Sequence, residues 1–171
     1  QGQLAGVLTE LDLALADFKV AVGTAWANTV VVMATEFGRC VHVNGDSGTD
    51  HGVGTVALLA GGAVNGGKVI CDWPGIAENQ LYEQQDLKAT TDLRSVFKGI
   101  LRDHVGVANN LLGTSIFPSS AAAPPLAGLI KTSSAPAMAD QPAQAAPLRA
   151  EPPIAKYRRK KLMAQAPSAP A

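Results

Sequence analysis

Three observations predict an α/β fold followed by a disordered tail. Leu4, Leu8, Leu11, Leu15, Phe18 and Val22 recur at alternating steps of four and three, which is one face of an amphipathic helix. Two short apolar runs, Thr29-Val-Val-Val-Met-Ala and Val56-Ala-Leu-Leu-Ala, read as buried strands. A second helical pattern, Val96, Phe97, Ile100, Leu101 and Val105, follows a capping signal at Thr91 or Asp92. Helix, strand, loop, strand and helix form a layered α/β pattern. Two or three strands make a thin sheet, so the pattern reads as part of a larger sheet with one edge open.

The remaining elements follow in order. Gly23 ends the first helix, as a left-handed cap residue does. The first strand is apolar on both faces, which predicts burial and parallel neighbours. Glycines and polar residues dominate 38–54, which predicts a long loop, and long loops in compact domains are often functional. Gly61-Gly62 stops the second strand. Lys68-Val-Ile-Cys predicts a short third strand, and Pro74-Gly75 a turn.

Composition marks a seam between residues 118 and 119. Of 17 glycines, 16 precede Ser119, whereas only Pro74 and Pro118 of the 11 prolines do. Residues 1–118 carry seven basic and twelve acidic side chains, a net of −5, and 119–171 carry the balancing +5. The tail has too few large apolar residues to offset its ordering entropy, so disorder is expected from about Ala121 on, with a short contact at 126–130. Its cluster Lys156-Tyr-Arg-Arg-Lys-Lys is a weak signal for nucleic acid or anionic lipid, and no specific nucleic-acid partner is assigned.

Composition also excludes whole classes. No apolar run reaches the roughly 20 residues needed to cross a bilayer. Two cysteines make neither a disulfide framework nor a zinc finger. Cys40 and Cys71 read as two unpaired thiols, with pairing open only in an oxidising compartment. Trp26 and Trp73 read as packing residues.

Chemistry concentrates between the two strands. Glu36 and Arg39 stand just past the end of the first strand, where α/β sheets bind ligands. Asn44-Gly-Asp-Ser-Gly-Thr-Asp-His-Gly leads into the second. If the strands are neighbours, Glu36, Asp50 and His51 converge, and two carboxylates with an imidazole suit zinc or manganese. Arg39 would offer a planar fork to a phosphate or sulfate oxygen. His42 is close enough to join, or is a solvated loop histidine. The competing reading is a structural Glu36–Arg39 ion pair, with His51 bonded to loop backbone. A connection of about 20 residues without a helical pattern favours an antiparallel return, with Glu36 and His51 at one edge. Phe37 is expected to turn away into the core.

A set of ordered motifs carries a family resemblance. They are Ala34-Thr-Glu-Phe-Gly-Arg, Asn44-Gly, Gly48-Thr-Asp-His-Gly, Leu59-Ala-Gly-Gly, Gly66-Gly-Lys-Val, Asp72-Trp-Pro-Gly and Thr90-Thr-Asp-Leu-Arg. Over about 3–118 the chain resembles the C-terminal portion of the bacterial domain of unknown function 1501 family (DUF1501), related to the alkaline phosphatase and sulfatase superfamily. The resemblance implies a partial three-layer α/β sandwich of that type. It implies a longer parent, whose N-terminal half is absent here and holds the nucleophile. It further implies a divalent metal (zinc, manganese or calcium), a small phosphate or sulfate ester as substrate, and a periplasmic or exported location through a twin-arginine signal. The superfamily places an Asp-His pair at one strand end and a later histidine before the next strand. Glu36 falls at the Asp, Phe37 at the first His and His51 at the later His. Phe37 has no ligand atom. Two readings follow: an inactive fragment of a metallohydrolase, or a non-catalytic binding module of the same fold.

Overall fold

The computed structural model describes residues 3–131. Helix α1 (Gln3–Val22) runs into a 3-10 turn over Gly23–Asn28. Short strands follow: β1 (Val31–Met33), β2 (Gly38–Val43), β3 (Thr49–Gly52) and β4 (Leu58–Ala60). Helix α2 (Leu93–Ile100) leads through a π-helical turn, Leu101–Val105, to the single-turn α3 (Asn109–Leu111) and a second π-turn, Leu112–Ile116.

The predicted strands β1 and β4 form and pair antiparallel, with Val31 opposite Ala60, Val32 opposite Leu59 and Met33 opposite Leu58. The return between them, residues 34–57, carries the β2–β3 hairpin and no crossover helix of the kind a parallel pair needs. The parallel arrangement suggested by the apolarity of β1 is therefore corrected, and its residues are half-buried rather than buried. Gly61 follows β4 with φ +137, and a Cβ there would collide with Thr29 O. Only glycine lets the chain leaving β4 pass this close to the chain entering β1.

Helix α1 forms as its periodicity requires, yet it buries no residue. Leu4 is 71% and Leu8 51% exposed. Lower down, Leu11, Leu15 and Phe18 face Val30 and Val32 across an apolar groove of about 480 Å³. Phe18 meets Trp26 edge-on at 6.4 Å, which anchors the helix end to the turn.

The stretch 38–54, expected to be a loop, contains the β2–β3 hairpin instead. Asn44 builds its turn. The Asn44 Oδ1 accepts from the Asp46 and Gly48 amides, both at 3.0 Å, and Asn44 N donates to Gly48 O at 2.9 Å. Such side-chain turns allow polar residues to reverse the chain without an apolar signal. Lys68-Val-Ile-Cys, expected as a third strand, has no strand partner, and Val69 is 88% exposed. The additional pairing comes from elsewhere: Val41 N donates to Gln85 O (2.8 Å) and Leu87 N to Arg39 O (3.0 Å).

The core gathers Ile100, Leu129 and Ile130, with Val30, Val32, Leu59, Val96 and Leu126 packed against them. Asp92 caps α2, accepting from Arg94 N at 2.8 Å, as read from the sequence. The segment 119–131 corrects the expected boundary, because it belongs to this core. Leu126 N donates to Ser95 O (2.8 Å), Asn65 N to Leu129 O (2.8 Å) and Lys131 N to Ala63 O (2.9 Å). Three apolar residues at 126, 129 and 130 suffice because a backbone ladder holds them in place. The contact expected at 126–130 is present, but order extends to Ser120 and Ala123, each 1% exposed. The rest of the tail, including the basic cluster at 156–161, lies outside the described residues.

Candidate functional site

The hairpin decides which candidate residues meet. Arg39 on β2 stands directly opposite His51 on β3. Residues opposed in an antiparallel pair project to the same face. The Phe37 ring, just before β2, lies on the His51 ring with centroids 4.7 Å apart and planes tilted by 41°. Thr35 Oγ1 accepts from Phe37 N at 3.1 Å and steadies the approach. Phe37 is 53% exposed, so the expectation that it packs into the core is corrected. The neighbouring imidazole, not the core, takes its ring.

Asp50 does not join this face. It precedes His51 in the same strand, and successive side chains project to opposite faces. Its Oδ1 accepts from Asn44 Nδ2 at 2.7 Å, which ties it into the hairpin turn. His42 lies apart as well, with Nε2 donating to Gln84 O at 3.0 Å. Glu36 is exposed at the end of the β1–β2 connection. Among the described residues no three His, Cys, Asp or Glu side chains gather closely enough to hold a metal. Glu36, Asp50 and His51 are thus not gathered as one such group among the described residues. The competing ion pair is not formed either: the salt bridges among the described residues are Arg94–Asp92 and Arg102–Asp103.

A neighbouring segment escaped the sequence reading. Tyr82 and Asp86 pair across a tight turn, and Asp86 also pairs with Cys40 of β2. Asp86 is 8% exposed. The turn residues Glu83 (φ +48) and Gln84 (φ +62) both sit in the left-handed region. The Glu83 carboxylate beside Tyr82 raises that phenol above its ordinary range, with a smaller push from Asp86. Tyr-Glu-Gln-Gln-Asp lacks both strand alternation and glycine, so no local signal announced the turn. Cys40 and Cys71 are both unpaired thiols.

A small mixed α/β unit displaying an arginine–histidine hairpin is the class that this fold and site define. Over residues 1–114 the chain matches the family model described as protein of unknown function (DUF1501), and it belongs to that family. Neither a curated protein nor a solved structure matches it. Among the described residues no helix is long and apolar enough to cross a membrane.

Proposed function

We propose that this chain carries the anion-recognising part of a phosphate or sulfate ester hydrolase-like protein and has no turnover by itself. One observation carries the reading: Arg39 and His51 share a face across the β2–β3 pair. The guanidinium offers two parallel N–H groups to an oxyanion, and the imidazole offers a further donor. Phe37 braces the imidazole and shields one side from water. In this chain Glu36 and His51 are two donors of a type that zinc, manganese or calcium accept, but Asp50 is engaged by Asn44 and Phe37 offers no ligand atom. Two donors do not make a metal centre, so metal-dependent chemistry would need further ligands from outside the described residues. The superfamily relationship and an exported location rest on the motif resemblance alone.

A second reading, a non-catalytic binding module, is favoured by Phe37, which stands where the superfamily has a metal-binding histidine. One experiment addresses both. The full chain is assayed on generic phosphate and sulfate monoesters with zinc, manganese and calcium, while inorganic phosphate is titrated and the His51 ring resonances followed. The expected result is saturable perturbation of His51 that Arg39→Ala removes, without turnover. Metal-dependent turnover above a Glu36→Ala control overturns the claim of inactivity. Absence of any phosphate effect at His51 overturns the anion reading.

A further inference from the structure

Helix α2 and the π-turn that follows it hold two further cations, Lys98 and Arg102. Lys98 is 3% exposed, and its Nζ donates to Ser120 O at 2.7 Å and Ala123 O at 2.8 Å. An ammonium has three N–H groups, and these two carbonyls take two of them. Carbonyls supply hydrogen bonds but no counter-charge, and a buried charge without one is unfavourable. Among the described residues Lys98 forms no ion pair. Asp92 feels its charge, but both Asp92 oxygens are held by the Arg94 guanidinium.

One turn on, Arg102 uses Nε and Nη2 on Asp103, at 2.6 and 2.9 Å, which leaves Nη1 unengaged. Between the two cations opens a cavity of about 260 Å³, lined also by Asn109, Leu112, Pro124 and Pro125. The polar side chains lining it are Lys98, Arg102 and Asn109. Lys98, though buried, lines this cavity together with a second cation and an amide.

We propose that the Lys98–Arg102 cavity binds a small oxyanion of the phosphate or sulfate type. The ion supplies the counter-charge that Lys98 lacks and accepts from Arg102 Nη1 and the Asn109 amide. The site is separate from the hairpin, and the proposal does not depend on the function proposed above. The test uses the full chain carrying Arg39→Ala and His51→Ala, which removes the hairpin's contribution. Inorganic phosphate is titrated at constant ionic strength, followed by calorimetry and by melting temperature, with chloride as control. Saturable binding is expected, weakened about tenfold by Arg102→Gln and by less in Asn109→Ala. Neither variant touches the Ser120 and Ala123 carbonyls, so both should fold. Lys98→Arg should retain binding and Lys98→Met abolish it. Loss of all phosphate binding in the hairpin double variant overturns the proposal. So does binding that Arg102→Gln and Asn109→Ala both leave unchanged.

Discussion

Phe37 and His51 lie ring against ring at 4.7 Å on the exposed face of the β2–β3 hairpin. The ring contact fixes the orientation of the His51 imidazole. The first prediction follows from that pairing. Phe37→His places a second imidazole beside His51, within reach of Glu36 along the chain. Zinc binding measured by calorimetry should be clearly tighter in Phe37→His than in the parent chain, and His51→Ala should cancel the gain. Equal zinc affinity in both chains would show that the two side chains cannot share an ion. Phe37→Ala should cost no more than about 1 kcal/mol of stability, the usual worth of one aromatic contact.

Gln84 holds φ +62 in a two-residue turn where Glu83 is also left-handed. A non-glycine residue pays about 1–2 kcal/mol there. Replacing it with glycine recovers most of that and returns about 0.5–1 kcal/mol as extra unfolded-state entropy. Gln84→Gly should therefore stabilise the chain by about 0.5–1 kcal/mol. Urea unfolding reads the difference, and a destabilised Gln84→Gly would show that the Gln84 side chain has a contact outweighing the backbone.

Gly99 lets the 119–131 segment lie against α2. A Cβ at this position would run into Leu126 O. Gly99→Ala should destabilise by about 1–3 kcal/mol, as overpacking does. It should also speed proteolytic cleavage within 119–131 relative to the hairpin. Unchanged cleavage there would mean that the segment is held by its ends alone.

Asp92 caps α2, and the Arg94 guanidinium beside it draws its carboxyl below the ordinary carboxylate range. A carboxyl depressed in the folded state stabilises above its unfolded pKa and loses that contribution as pH falls through the folded one. The pair is largely exposed, so solvent and salt reduce its worth. Asp92→Ala should lose about 1 kcal/mol at neutral pH through the missing cap. The difference between parent and Asp92→Ala should shrink as the solution is acidified below the carboxylate range. A pH-independent difference would assign the effect to helix propensity instead.

Local and periodic information decided part of this protein by itself. The 4-3 spacing from Leu4 to Val22 determined α1, and Asp92 before Arg94 determined where α2 begins. The absence of a helical pattern between the two apolar runs pointed to the antiparallel pairing of β1 with β4. Glu36, Arg39 and His51 were legible as polar residues at a strand edge, and the ordered motifs pointed to the family. The remaining features depend on partners far away in the chain, which no local pattern announces. Asn44 turned an apparent loop into a hairpin, and that hairpin's register put Arg39 with His51 while sending Asp50 to the other side. The backbone of Gln85 and Leu87, not a local pattern, chose β2 as its neighbour. Leu126, Leu129 and Ile130 were legible as a short contact in a proline-rich stretch, but what holds them was not. They fold because Ser95, Asn65 and Ala63, at least 31 positions away, hold their backbone by hydrogen bonds over a waiting apolar surface.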